Sequence, residues 1–161
     1  MKSTMMPGQH FARIVGILYL AIGIMGFISA LVQQPINPPD LIFNLGVETG
    51  YGYLMGLFPI NVVHNIVHLF VGILGIAASI SLDSSRIYAR GLAVLYGALT
   101  VMGLIPYANT TFGLVPIFGN DVWLHAVTTT FAAYYGFIAS PGLLEISARP
   151  GAQKQRQSMQ E

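Results

Sequence analysis

The chain has no cysteine, and charged residues make up only 8% of its 161. The first absence removes disulfides, thiolate zinc sites, iron–sulfur clusters and cysteine nucleophiles together. The second removes a water-facing surface, because a soluble domain carries about 25% charged residues. A net charge of +1 leaves no basic field to hold nucleic acid. Also missing are a phosphate-binding glycine–lysine loop, a dinucleotide fingerprint, a serine nucleophile elbow and a glutamate between paired histidines. Known catalytic signatures are therefore absent, and the residues point away from an enzyme.

What is abundant is apolar: hydrophobic residues are 54% of the chain. A bilayer core needs about 20 mostly apolar residues in one helix. Four stretches qualify: 14–32, 60–80, 87–106 and 122–139, bounded by breakers such as Pro35, Pro59, Asp83, Pro106, Asn120 and Pro141. All seven lysines and arginines (Lys2, Arg13, Arg86, Arg90, Arg149, Lys154 and Arg156) fall at the termini or at the turn between spans two and three. The other two loops carry Asp40, Glu48 and Asp121 and no basic residue. The positive-inside rule then sets both termini in the cytoplasm and both acidic loops outside. The expected fold is all-α, an integral membrane four-helix bundle over residues 1–147 with a disordered cytoplasmic tail at 148–161, lodged in a plasma or internal membrane. Its partners are the lipid bilayer and, in addition, another membrane protein or a second copy of itself.

The two halves read as one hairpin written twice. Arg13, Leu18 and Tyr19 align with Arg90, Leu95 and Tyr96, and Met25-Gly26 with Met102-Gly103. With His64 set on His125, Phe70 falls on Phe131, Gly75 on Gly136 and Ala78-Ser79 on Ala139-Ser140. Both copies enter from the same side, so they are parallel repeats about an axis along the membrane normal. Span one is then a retained helix rather than a cleaved signal sequence, because span three is its twin.

Span two carries Asn61, His64, Asn65 and His68 at i, i+3, i+4 and i+7, one stripe of a helix, extended by Gly72, Gly75 and Ser79. Span four offers Asp121 and His125 at i and i+4, followed by Thr128, Thr129, Ala132 and Gly136. From the helix rise, His64 and His68 lie about 6 and 12 Å into the membrane and His125 about 7 Å. His64, His68, Asp121 and His125 are therefore expected to converge as metal ligands, with Asn61 and Asn65 behind them as partners for imidazole N–H groups. Such a nitrogen–oxygen donor set suits zinc or iron, and paired histidines leave haem open. The alternatives are plain interhelical hydrogen bonding in a structural subunit or assembly factor, and a quinone- or lipid-linked redox enzyme or transporter. Arg86 and Arg90 are candidates for a lipid or partner contact on the inner face. The segment Asn37–Phe58 is long for a loop and is expected to form a short interfacial helix or a solvated loop over the outer mouth.

The string Asn61-x-x-His64-Asn65-x-x-His68-x-x-x-Gly72-x-x-Gly75, then Arg86-x-Tyr88-Ala89, then Gly119-Asn120-Asp121-x-x-x-His125, resembles the bacterial membrane proteins grouped as domain of unknown function 4383. The resemblance implies a small four-helix membrane protein in which His64, His68, Asp121 and His125 belong to the family pattern. It implies no substrate.

Overall fold

The computed structural model describes residues 5–36 and 46–139. The chain is mostly helical, with four main helices: α1 (Pro7–Met25), α2 (Val62–Ala78), α3 (Leu82–Gly103) and α4 (Asn120–Ala133), the last continuing as a π-helix over Tyr134–Ile138. The tail expected at 148–161 lies outside the described residues.

Each helix starts where local chemistry supplies a start. Pro7 sits at the head of α1, where its missing N–H costs nothing, and the Gln9 side chain returns to the Met6 backbone N–H. Asn61 caps α2 by accepting from the His64 N–H at 2.8 Å, and Ser81 caps α3 by accepting from Ser84 N–H at 3.1 Å.

Two expectations need correction. Helix one does not span 14–32; it runs seven residues earlier, from Pro7 to Met25. The apolar run continues past Gly26, but there the backbone leaves the helix for a short 3₁₀ turn at Ser29–Leu31 and then a strand. Hydropathy marks both alike, and Pro7 sets the true beginning. Nor is the fold purely helical. A small antiparallel sheet joins β1 (Val32–Gln33), β2 (Gly52–Leu54) and β3 (Phe58–Ile60), with Val32 opposite Leu54 and Gly52 opposite Ile60. The described part of the Asn37–Phe58 segment is therefore turn and strand, not an interfacial helix. The β2–β3 turn places Met55 and Gly56 at positive φ, the chain reversal a tight hairpin needs.

Helix α1 packs chiefly on α2, and α3 chiefly on α4. The α1–α2 approach depends on glycine. A Cβ built on Gly16 would lie 2.6 Å from the Ile76 nitrogen and 2.9 Å from the Gly72 carbonyl oxygen. The apolar core between hairpins is Phe11, Tyr19, Val71, Ala89, Leu92, Ala93, Tyr96 and Ala132.

The distribution of polarity is inverted relative to a water-soluble bundle. Asn61, His64, Asn65, His68, Asp121 and His125 are all buried, while Ile14, Ile17, Phe70, Ile73, Ile87, Val94, Val101 and Phe131 each expose more than half their surface. Among the described residues one helix, α1, is long and apolar enough to cross a membrane, and α2 is apolar but shorter.

The connection from α1 to α2 and that from α3 to α4 lie at the sheet end of the bundle and are tied together. Gly46 and Val47 donate backbone N–H groups to the Gly113 carbonyl. The Asn61 amide donates to the Val47 and Leu114 carbonyls at 2.9 and 2.8 Å. Asn120 donates to the Leu57 carbonyl, pinning the start of α4 to the β2–β3 turn.

Candidate metal centre

The buried stripe of α2 is the one its spacing predicts: His64, Asn65, His68, Gly72 and Gly75 are all inside. On α4 the buried residues include Asp121, His125 and Ala132. The two stripes meet just beneath the sheet.

His64, Asp121 and His125 each present one ligand-capable atom, and those three atoms lie within 4.8 Å of one another. Each of the three residues is no more than 2% exposed. His64 Nδ1 is 3.2 Å from the Pro59 carbonyl oxygen and 3.7 Å from Asp121 Oδ2. The shorter contact is the hydrogen bond. With Nδ1–H donating to Pro59, the lone pair of His64 rests on Nε2. Strand β3 thus fixes the imidazole through a backbone carbonyl three residues before the helix begins.

Several polar atoms at this spot have no such satisfaction. Asp121 Oδ2, His125 Nδ1 and His68 Nδ1 are buried and meet no hydrogen-bond partner among the described residues. Among those residues no lysine or arginine pairs with Asp121. A carboxylate out of water without a counter-charge is costly, so the site calls for a cation or a proton beside Asp121.

His68 stands next to the triad, its ring centroid 4.3 Å from that of His64, but outside the close three-atom group. The two asparagines are buried alongside but bond elsewhere. Asn61 is spent on backbone, accepting from the His64 N–H and donating to Val47 and Leu114. Asn65 packs against Gly26, and its Oδ1 has no hydrogen-bond partner among the described residues. Arg86 and Arg90 belong to the first half of α3, and Arg90 donates to the Gly136 carbonyl at 2.9 Å and lies over the Phe137 ring.

Tyrosines that site reasoning left out complete the surroundings. Tyr19 packs on His68 at 5.1 Å between centroids, and Tyr96 meets His125 edge-on at 5.0 Å. Tyr19 shares a 2.9 Å hydrogen bond with the Thr128 hydroxyl. The available signal was the duplication, which sets Tyr19 on Tyr96.

A cavity of about 140 Å³ adjoins the triad, lined by His64, His68, His125 and Tyr96 together with Leu95, Leu99, Val115 and Ile117. The connection from α3 to α4 supplies part of this wall through Thr111, Val115 and Ile117. In that loop Tyr107, Thr111 and Phe112 all have positive φ, a conformation that non-glycine residues adopt at a cost.

A family model described as Domain of unknown function (DUF4383) matches residues 9–138. Among curated proteins and among solved structures no match is found.

Proposed function

The chain belongs to the DUF4383 family, whose model spans both hairpins and every residue of the buried cluster, and from that premise we propose that it is an integral membrane protein holding a divalent transition-metal ion between His64, Asp121 and His125. The observation that carries the reading is the set of buried donors. Asp121 Oδ2 and His125 Nδ1 have no hydrogen-bond partner among the described residues, and they share a 4.8 Å neighbourhood with His64. A tetrahedral zinc site holds its donors roughly 3.3 Å apart, so side-chain adjustments of about 1 Å close the triad on an ion. Two imidazoles and a carboxylate suit zinc or ferrous iron. Haem is a poorer fit, because the adjoining cavity of about 140 Å³ is small against the roughly 300–1,000 Å³ of sites for larger organic ligands.

The membrane setting draws support from the inverted polarity. Large apolar side chains cover the outside of the bundle while the ionisable residues face inward. Arg86 and Arg90 lie in the first half of α3, toward the end of the bundle away from Asp121 and Glu48, which agrees with termini in the cytoplasm and the metal site near the outer side. The pairing of α1 with α2 and of α3 with α4 agrees with a duplicated hairpin. The role we assign is that of an accessory, non-enzymatic membrane protein.

Metal analysis of detergent-purified protein tests this reading. One zinc or iron per chain is expected after loading, with affinity at least tenfold weaker in Asp121→Asn and His125→Ala. His68→Ala should be milder, since His68 stands outside the triad. Absence of stoichiometric metal in the wild type, or wild-type affinity in both ligand variants, overturns it. A second reading, in which the cluster is interhelical bonding within a larger complex, rests on the bonds Asn61 and Tyr19 make without any ion. A stable co-purifying partner retained by every histidine variant would favour it.

A further inference from the structure

We propose that the metal held by His64, Asp121 and His125 keeps an open coordination position toward the adjoining cavity, and that this position takes a small uncharged molecule of the diatomic-gas class. The inference rests on the metal reading above and extends it to the ligand.

Three protein donors do not saturate a transition metal. Two histidines and one carboxylate are the donor set that leaves positions free on ferrous iron. The free side is defined by the surroundings. Pro59 and the sheet lie behind His64, whose Nδ1 is engaged there. The cavity borders His64 and His125 together. An exogenous molecule bound between those two imidazoles would therefore extend into that space.

The cavity sets the ligand's chemistry by its lining and its size. Away from the histidines its walls are Val67, Leu95, Leu99, Val115 and Ile117, with Thr111 and Tyr96 the polar additions. Among the described residues no lysine or arginine lines it, so an anion would lose its hydration without a cationic partner other than the metal. The pocket is partly open, and its volume of about 140 Å³ has room for a molecule of a few atoms. A neutral molecule of a few atoms fits both limits, and the small gases also partition into lipid and can arrive from the bilayer. His68 and Tyr96 stand in the wall as the groups that would neighbour the bound molecule.

Nitric oxide is the probe. Full-length protein in detergent is loaded with ferrous iron without oxygen and exposed to nitric oxide, and the spin-3/2 signal of a non-haem iron–nitrosyl is counted against bound iron. About one such centre per iron is expected in the wild type. Leu99→Trp, which fills the cavity, should keep the iron and lose at least tenfold of the nitrosyl signal. Val115→Phe from the opposite loop should do the same, and stands in if the first variant fails to fold. Iron bound without a nitrosyl signal in the wild type overturns this inference and leaves the metal site standing. So does a full signal in folded cavity-filling variants. Failure to bind iron or any other metal overturns both.

Discussion

Tyr19 and Tyr96 touch at the centre of the bundle with ring centroids 5.3 Å apart, and each leans on a histidine of its own side of the site. They stand at matching positions of the proposed sequence repeat, and their rings meet at a tilt of 51°. The symmetry is broken one step further out. Tyr19 bonds the Thr128 hydroxyl on α4, whereas the residue that matches Thr128 in α2 is Val67. The first hairpin is thereby fastened to the second, beside the buried histidines.

That bond has a measurable weight. Tyr19→Phe and Thr128→Val each remove one partner, and side-chain bonds inside membrane bundles contribute about 0.6 kcal/mol on average and rarely more than about 1.7. Each variant should lower detergent-denaturation stability by roughly that much. The double variant should cost clearly less than the sum, because both changes delete the same contact. Strict additivity would show that the 2.9 Å contact contributes nothing.

Asp121→Asn should change sign with metal. With ion bound, the wild-type carboxylate is compensated and the wild type is the more stable; ligand at 100 times its Kd adds about 2.7 kcal/mol. After chelation, the wild type retains a buried carboxylic group with no lysine or arginine beside it among the described residues, only the His64 imidazole at 3.7 Å, while the amide variant carries no ionisable group there. The variant should then melt at or above the wild type. Thermal unfolding of both proteins with zinc and with chelator checks this. A variant less stable by the same margin in both conditions would mean that Asp121 acts through packing and not through an ion.

The cluster was legible because it depends on helix periodicity alone. His64, Asn65 and His68 share a face at any tilt of α2, with Asn61 capping its start, and Asp121 and His125 share one on α4. Which of them approach one another depends on how the helices cross, and spacing does not carry that. His68 is accordingly beside the triad and not in it. The start of α1 was missed because the uncharged apolar run begins only after Arg13 and goes on to Val32, while the helix starts at Pro7, carries Arg13 within it and stops at Met25. The sheet was missed for a related reason. Its strands are two or three residues long, too short for any alternation, and β2 holds its place by pairing with both β1 and β3.

The crossing of α1 over α2 should be sensitive to single methyl groups. At Gly16 and Gly72 the new Cβ would meet backbone of the facing helix at 2.6 and 2.5 Å, atoms that cannot swing away as a side-chain tip would. Gly16→Ala and Gly72→Ala should each cost about 1–3 kcal/mol, the usual range for overpacking. Gly91, inside α3 with open space around its Cβ, is the control. There alanine should be neutral or stabilising by up to about 1 kcal/mol, through its better helix propensity. Loss of stability at Gly91 equal to that at Gly16 would remove close packing as the cause.

The absence of cysteine makes orientation directly testable, since any introduced thiol is unique. Met55, at the tip of the β2–β3 turn, and Ser84, in the first turn of α3, are both exposed and lie at opposite ends of the bundle. If the arginine-bearing end faces the cytoplasm, Met55→Cys in intact cells should react with a membrane-impermeant maleimide. Ser84→Cys should react only after the membrane is opened. Neither position contributes to the buried cluster, so metal content should follow the wild type in both. Labelling of Ser84→Cys in intact cells with Met55→Cys protected would invert the protein and place the metal site near the inner face. Equal labelling of both without permeabilisation would contradict a spanning bundle altogether, and the exposed isoleucines and phenylalanines would then have to be covered by another protein rather than by lipid.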